Sequence, residues 1–169
     1  VQRVEKDATG VSVSIIQRPR YVDIDKCIGC RKCEYNCPVL VPDAEQGGFS
    51  GRKAIRIPFS NAIPQKALLD VEHCMLCGKC ADVCPTKAIR YDQKPEPLRI
   101  AAKTAILATG YELSSVTGKS QYGNGDIPNV IDSLQMERLL APHGPYGRVL
   151  RPSDGMIPDS IAYVQCAGS

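Results

Sequence analysis

Eight of the nine cysteines in the chain lie in two blocks that share the same internal spacing. The blocks hold Cys27, Cys30, Cys33 and Cys37 in the first half and Cys74, Cys77, Cys80 and Cys84 in the second. They match at a constant offset of 47 residues, and a proline follows the last cysteine of each block. Cysteine thiolates at this spacing are typical ligands of 4Fe–4S clusters. The repeat therefore predicts two such clusters.

Within a block, the spacing suits three ligands of one cluster and one ligand of the other. Three cysteines separated by two residues each can curl around one cubane, with backbone N–H groups facing its sulfides. The following residues enter a short helix, which carries the fourth cysteine toward the second cluster. The predicted ligands are Cys27, Cys30, Cys33 and Cys84 for cluster 1, and Cys74, Cys77, Cys80 and Cys37 for cluster 2.

Structural zinc and disulfide bonds are the two other uses of cysteine that the pattern leaves open. Zinc sites pair CxxC units across a long gap, and a third cysteine two residues further on would crowd a tetrahedral site. Disulfides suit secreted chains, whereas nine is an odd count and no charged-then-apolar leader opens this sequence. We therefore expect thiolate ligands in a reducing cytoplasm.

The elements that must position the cysteines are also duplicated. Residues 53–57 (KAIRI) resemble residues 87–91 (KAIRY), now at an offset of 34 residues. The smaller offset implies about 13 extra residues in the first half, and residues 39–52 are expected to hold them as a loop. Each half is then predicted to contain a strand, a cysteine loop, a short helix and a return strand. The entry strand of the first half is predicted at residues 21–25.

The segments on either side of the repeat have patterns of their own. Residues 1–20 predict a β-hairpin, because apolar residues alternate and residues 7–10 form a turn signal. The alternating residues are Val11, Val13 and Ile15. Residues 93–97 contain two prolines and predict a linker.

Further along the chain, the composition favours alternating strands and helices. Residues 103–110 and 161–166 are apolar runs that predict buried strands. Residues 132–140 predict a helix that is capped by Asp132 or Ser133 and ended by Pro142 and Gly144. The sequence stops where a βα turn would normally start, so we expect this chain to be a truncated piece of a longer parent.

Single residues near the blocks suggest smaller roles. Tyr35 and Tyr91 are expected to shield the clusters from water, and His73 to be a partly exposed loop residue. Lys32 and Lys79 occupy matching positions and are expected to be solvated. Cys166 is expected to be a small buried hydrophobe at a strand end, the alternative being a redox or ligand role.

The charge balance and the lengths of the apolar runs limit the partners. The formal net charge is +3 with the cysteines counted neutral. Two thiolate-bound clusters would each add about −2, leaving about −1, so nothing indicates nucleic-acid binding. The apolar runs are far shorter than the ~18 residues of a membrane helix, and we expect no direct membrane insertion.

Three resemblances follow from these motifs. The duplicated block resembles the bacterial two-cluster ferredoxins over residues 21–97, and residues 106–112 (ILATGYE) are similar to the ATG motif of two-dinucleotide-binding flavoproteins. Other stretches resemble the A subunit of heterodisulfide reductase, in which a two-cluster ferredoxin segment is inserted into a flavoprotein of thioredoxin-reductase type. These stretches are residues 52–55 (RKAI), 57–59 (IPF), 127–131 (IPNVI), 151–155 (RPSDG) and 164–169 (VQCAGS).

The resemblance to heterodisulfide reductase implies FAD in the intact parent, with Thr109 and Gly110 as contacts, and other subunits of a redox complex as partners. The Gly-rich turn that holds a dinucleotide is missing from this sequence. Gly123 and Gly125 start like it, but Pro128 stands where the last glycine belongs. We therefore expect FAD only in the parent, and this piece not to be catalytic alone.

Taken together, the patterns predict an α+β fold with three parts. These are a hairpin of the flavin domain at 1–20, a two-cluster 4Fe–4S ferredoxin domain at 21–97, and a truncated α/β region at 98–169. The expected function is a relay of single electrons within a heterodisulfide-reductase-A-like oxidoreductase complex. The alternatives are a flavin-binding oxidoreductase in its own right and a zinc-stabilised interaction module.

Overall fold

Small sheets and a few short helices make up the protein. The computed structural model describes residues 1–6, 8, 10–59, 61–114 and 118–166. In these residues the strands are β1 (Arg3–Lys6), β2 (Val11–Gln17), β3 (Val41–Pro42), β4 (Gly51–Arg52), β5 (Ile55–Arg56), β6 (Leu68–Leu69) and β7 (Glu96–Ala102). The helices are α1 (Lys32–Asn36), α2 (Lys79–Asp82) and α3 (Ser133–Leu140), and 3₁₀ turns lie at Ala44–Gln46 and Ser120–Tyr122.

The chain divides into two compact units. The first unit comprises residues 1–41 and 52–108, and the second comprises residues 42–51 and 109–169. All eight block cysteines belong to the first unit. Within the described residues, no helix is long and apolar enough to cross a lipid bilayer.

A three-stranded antiparallel sheet with the order β1-β2-β7 lies in the first unit. The hairpin predicted for the first residues is confirmed, since Val4 pairs with Val13 in β1 and β2. Its turn falls partly on Asp7 and Thr9, which lie outside the described residues. The register also pairs Val13 with Ile100, so the alternation places apolar residues of all three strands on one face.

The linker predicted at residues 93–97 is wrong at its end, because Glu96 and Pro97 begin β7. Pro97 pairs with Ile16, and β7 is an edge strand of its sheet. A proline lacks the N–H that a central strand must donate, but an edge strand has one side free of partners. The two prolines therefore suggested a linker where the chain forms an edge strand.

The two halves of the cysteine repeat exchange their strands. Leu69 of β6 pairs with Ile55 of β5, and Val22 forms an isolated bridge with Ile89. Each of these pairs joins the entry of one cysteine loop to the return segment of the other half. The offsets of 47 and 34 residues convert one pair into the other, which confirms the alignment of residues 53–57 with residues 87–91.

The same symmetry is present in the hydrogen bonds of the core. The amide of Asp23 donates to the carbonyl of Ala88 at 2.7 Å, and the amide of Asp70 donates to the carbonyl of Ala54 at 2.7 Å. Both alanines are fully buried, at 1% and 0% exposure. A larger side chain at either alanine would separate the two halves.

The strand predicted at residues 21–25 is reduced to the single bridge at Val22. Tyr21 has a φ of 55°, which lies in the left-handed region. An extended run cannot pass through that conformation, so the strand cannot begin before Val22. It ends there as well, because the Asp23 carboxylate accepts from the amides of Asp25 and Lys26 and closes a turn.

The second unit contains the insertion between the cysteine repeats and the helix α3. Residues 39–52, predicted as a loop, contain the two-residue strands β3 and β4 and the turn Ala44–Gln46. Gln135 donates from Nε2 to the carbonyl of Gly47 at 3.3 Å, and the Tyr146 hydroxyl donates to the carbonyl of Phe49 at 2.9 Å. The insertion is thus fastened to the segment that begins with α3.

Helix α3 confirms the prediction for residues 132–140, and Asp132 is its cap. The Asp132 carboxylate accepts from the amide of Gln135 at 2.8 Å, and Gln135 Oε1 accepts from the amide of Asp132 at 3.0 Å. This reciprocal pair satisfies two N–H groups that a helix start leaves without partners. Leu139 is the buried residue of the helix, at 1% exposure.

The buried strands predicted at residues 103–110 and 161–166 are absent from the described residues of this structure. Ile106 and Leu107 are 91% and 86% exposed, and Val164 is 60% exposed. An apolar run forms a buried strand only when neighbouring strands pair with both of its edges and other elements cover its faces. Neither segment has such neighbours in the part of the chain that the structure describes.

Leu139→Ala tests whether burial in α3 stabilises the second unit. We expect a loss of about 2–5 kcal/mol in unfolding free energy, because the deletion leaves a cavity in a well-packed site. Leu140→Ala is the matched control, since Leu140 lies in the same helix but is 66% exposed, and should change stability by less than about 0.5 kcal/mol. Hydrogen exchange of the α3 amides measures both, and equal effects would contradict the role given to Leu139.

Candidate metal centre

The two cysteine loops have the same backbone conformation. Gly29 and Arg31 in the first loop have φ values of 70° and 58°, and Leu76 and Gly78 in the second have φ values of 53° and 78°. These residues are equivalent under the 47-residue offset. Left-handed residues in such a loop turn successive N–H groups toward its concave side, where they face bound negative charge. The loops are therefore shaped to surround an anionic group.

Helices α1 and α2 begin directly after these turns and pack against each other. Arg31 and Gly78 are their N-terminal caps, and Cys33 and Cys80 lie in their first turns. Each helix is short, so the last cysteine of the block follows it at once. This confirms the loop, short helix and fourth cysteine predicted for each half.

A small cavity, partly open to solvent, lies inside the first loop. Its lining includes Cys27, Cys30, Cys33 and Cys84. Thus three cysteines of the first block and the last cysteine of the second face one space, while Val22, Ile57 and Ala88 supply apolar wall. Four thiols around an apolar cavity are a donor set that fits a 4Fe–4S group.

Around the second loop, two cysteines are more deeply buried. Cys80 is 6% exposed and Cys37 is 9% exposed, whereas Cys77 is exposed. The Tyr91 hydroxyl lies 3.3 Å from the sulfur of Cys80, and the Leu76 amide donates to the sulfur of Cys74 at 3.3 Å. Across the described residues, no group of three or more His, Cys, Asp or Glu is arranged to hold a single metal ion.

The environments of the thiols shift their acidity in different directions. Burial raises the pKa of Cys33 to about 11, and burial also raises the pKa of Cys80. At Cys84 burial acts in the same sense, but the Ala88 amide at 3.3 Å and the Thr86 hydroxyl outweigh it and lower the pKa. Cluster ligands bind as thiolates, so loading the site would release protons.

Equivalent aspartates anchor the entries of the two loops, and sequence reasoning did not find them. Asp23 accepts from the amides of Asp25 and Lys26 at 3.1 and 3.2 Å, which closes the turn before Cys27. Asp70, its equivalent, instead binds Arg52 at 2.7 Å. The 47-residue offset was the signal that could have identified this pair.

Asp70 also accepts from His73 at 2.8 Å, so one carboxylate joins the loop entry to β4. Burial alone would raise the pKa of Asp70, but Arg52 and His73 together hold it below its usual value. His73 is partly exposed, which confirms the loop position expected for it.

Two further contacts of the first loop were missed from the sequence. Glu34 accepts from Arg31 at 2.9 Å and from the amide of Ile57 at 3.3 Å, so it ties α1 to the return segment. The ammonium of Lys66 donates to the carbonyl of Cys27. The spacing of Arg31 and Glu34 on one helical turn is a signal for the first contact, but neither backbone partner could be identified from sequence.

The other single-residue expectations have mixed outcomes. Lys32 and Lys79 are exposed, as expected. Tyr35 and Tyr91 were both expected to shield a cluster, but Tyr35 is 76% exposed and Tyr91 is 43% exposed. Cys166 was expected to be buried, but it is exposed, because the strand that would have buried it does not form. Thr109 and Gly110 are exposed.

Comparison of the sequence with known proteins identifies a matching domain family and several relatives. A family described as "4Fe-4S dicluster domain" matches residues 23–88. The chain is 49% identical over 158 residues to the A subunit of the H₂/formate:CoB-CoM heterodisulfide,ferredoxin reductase of Methanococcus maripaludis, covering 93% of this chain and 24% of that protein. The chain is homologous to a segment of the A subunit of heterodisulfide reductase.

Other relatives extend this match. The iron-sulfur A subunit of the CoB–CoM heterodisulfide reductase of Methanocaldococcus jannaschii is 43% identical over 170 residues, covering 100% of this chain and 26% of that protein. A second protein of this kind, from Methanopyrus kandleri, is 48% identical over 159 residues, with 94% and 24% covered. The chain spans about a quarter of the length of these relatives. Domain and relatives together support an iron–sulfur electron-transfer role.

Gly29→Ala tests how closely the first loop packs. A Cβ at Gly29 would lie 2.5 Å from the carbonyl oxygen of Gln65, so the loop must shift in addition to adopting a strained φ. Gly78→Ala is the matched control, because its φ is also positive but nothing lies within 4 Å of the added Cβ.

We expect Gly78→Ala to lower the unfolding free energy by about 1–2 kcal/mol from backbone strain alone. Gly29→Ala should lower it further and reduce the iron bound per chain. Thermal unfolding and iron analysis measure these effects. Equal losses in the two variants would show that the contact with Gln65 is unimportant.

Asp70→Asn tests the ion pair at the second loop entry. We expect a loss of about 2 kcal/mol at pH 7, because a largely buried Arg52 then lacks its charged acceptor. Since the folded pKa of Asp70 is lowered, this stabilisation is present above the unfolded value of about 4 and disappears as the pH falls through the folded pKa.

The difference between the wild type and Asp70→Asn should therefore be present at pH 5 and above and shrink below about pH 4. Chemical denaturation followed by circular dichroism measures it. Asp92→Asn is the control, because the Asp92 carboxylate is 69% exposed and its pair with Arg90 is screened by water. A difference that grows as the pH falls below about 4 would contradict the assignment.

Proposed function

We propose that this chain relays single electrons through two 4Fe–4S clusters as part of a heterodisulfide-reductase-A-like flavoprotein oxidoreductase complex. The cavity that gathers the thiols of Cys27, Cys30, Cys33 and Cys84 carries this proposal. It brings together cysteines from both blocks, as crossed ligation requires. The match to a dicluster domain over residues 23–88 supports the same interpretation.

The cysteines would divide between the clusters as the spacing predicts. Cys27, Cys30, Cys33 and Cys84 would hold cluster 1, and Cys74, Cys77, Cys80 and Cys37 would hold cluster 2. A bound 4Fe–4S group supplies a site that takes up or releases one electron. The protein contributes the apolar wall that limits water near cluster 1, and the left-handed loop residues that direct N–H groups toward the sulfurs.

Crossed ligation would also give the chain a short path between the clusters. Cys37 follows α1 and Cys84 follows α2, and these helices pack against each other. Each fourth ligand would therefore lie beside the loop of the other half. In this arrangement one cluster cannot be released without loosening a ligand that belongs to the other block.

The remaining parts of the chain fit a flavoprotein parent. We assign residues 21–97 to the inserted ferredoxin domain, and residues 1–20 and 98–169 to parts of the flavin domain. FAD would be bound by the parent, with Thr109 and Gly110 among its contacts, and other subunits of the complex would exchange electrons with it. A reducing compartment, the cytoplasm, suits thiolate ligands of this kind.

Iron and acid-labile sulfide per chain, on protein purified without oxygen, test the proposal. We expect about eight of each, and an EPR spectrum of two interacting clusters after reduction. About two zinc and no iron would contradict the relay and support a zinc-stabilised module. A flavin that stays bound after iron removal would support the alternative of an oxidoreductase in its own right.

Paired cysteine variants test the crossed ligand sets. Cys27→Ala with Cys84→Ala removes two ligands of one proposed cluster, so about four iron and one cluster should remain. Cys27→Ala with Cys37→Ala takes one ligand from each proposed cluster, so both should be damaged. Cys166→Ala is the control and should retain about eight iron. The reverse pattern in the two double variants would exclude crossed ligation.

A further inference from the structure

The duplication allows each position near one cluster to be compared with its equivalent near the other. Under the 34-residue offset, Tyr91 is equivalent to Ile57. Ile57 is 3% exposed and is one of the apolar residues that line the first cavity. Tyr91 instead places its hydroxyl 3.3 Å from the sulfur of Cys80. The same site in the fold is therefore apolar in one half and polar in the other.

The direction of the contact at Cys80 follows from the chemistry of the ligand. A cysteine that binds iron is a thiolate and has no proton to give. The Tyr91 hydroxyl is then the donor, and the sulfur is the acceptor. Since Cys80 is only 6% exposed, a water molecule has little access to this sulfur and cannot readily replace the hydroxyl.

A hydrogen bond to a ligand sulfur affects the two oxidation states of a cluster unequally. The reduced state carries one more negative charge, so its sulfurs are better acceptors, and the bond stabilises that state more. Hydrogen bonds to the sulfurs are among the factors that set the reduction potential of a 4Fe–4S cluster. Removing the donor should therefore lower the potential.

We propose that Tyr91 is a positioning residue that donates a hydrogen bond to the Cys80 thiolate and thereby raises the reduction potential of cluster 2. Ile57 provides no such donor to cluster 1. This inference rests on the two-cluster function proposed above. The KAIRI and KAIRY segments differ in sequence only at this last position. The inference is that this one difference makes the reduction potentials of the two clusters unequal.

Tyr91→Phe tests the inference, because it removes the hydroxyl and keeps the ring. On the iron-loaded chain, a redox titration followed by EPR should show one of the two potentials moved to a more negative value and the other unchanged. We expect a change of about tenfold in the one-electron equilibrium, which corresponds to about 59 mV. Tyr35→Phe is the matched control, since Tyr35 is 76% exposed, and should move neither potential.

Replacement of Tyr91 by 3-fluorotyrosine provides a second variant that keeps the ring and the hydroxyl. Its more acidic phenol is a stronger donor, so the same potential should move in the positive direction. This variant decides the matter if Tyr91→Phe fails to retain its clusters.

Three results would overturn the inference in distinguishable ways. Loaded clusters with both potentials unchanged in Tyr91→Phe, or unchanged in the fluorotyrosine protein, would refute the role of Tyr91 alone and leave the relay intact. Equal shifts in Tyr91→Phe and Tyr35→Phe would assign the effect to a general change in polarity around the protein. Iron and sulfide near zero in the wild-type chain would overturn the proposed function, and the inference with it.

Discussion

The exchange of pairing partners between the two halves is the constraint on which the cysteine-bearing unit depends. The entry of each loop bonds to the return segment of the other half, through Val22 with Ile89 and Leu69 with Ile55. The entry segment of a half cannot pair with the return segment of the same half, because that return segment already pairs with the entry segment of the other half. This interlocking puts the last cysteine of the second block on the wall of the first cavity. A small core of this kind gains from such mutual closure because it has little apolar surface to bury.

Although the two halves share this pairing, equivalent residues near the two cysteine loops differ in type or in partner. Asp23 closes a turn with two amides, whereas Asp70 binds Arg52 and His73. Ile57 supplies apolar wall, whereas Tyr91 supplies a hydroxyl. The frame requires only small buried residues such as Ala54 and Ala88, so the positions beside the cysteines remain free to differ. A duplicated fold can in this way surround its two cysteine loops with unequal side chains.

The segments outside the repeat illustrate why apolar pattern alone does not decide structure. Residues 103–110 have the composition of a buried strand, yet Ile106 is 91% exposed. Glu96–Ala102, which contains a proline, forms a seven-residue strand because β2 offers it a complete register. Pairing with a neighbouring strand contributes the hydrogen bonds that an isolated strand lacks. The neighbour, and not the local sequence, therefore decides whether a segment forms a strand.

Residue types and spacing were enough to predict the cysteine loops, the short helices after them, the N-terminal hairpin and the cap of α3 at Asp132. All of these depend on contacts within a few residues, or on a repeat whose offset can be read directly. Two features came from the tertiary fold: the Tyr91 hydroxyl reaches Cys80, and Asp70 meets Arg52. Both contacts join residues on different elements, and side-chain types and spacing do not encode which residue of another element will be nearest.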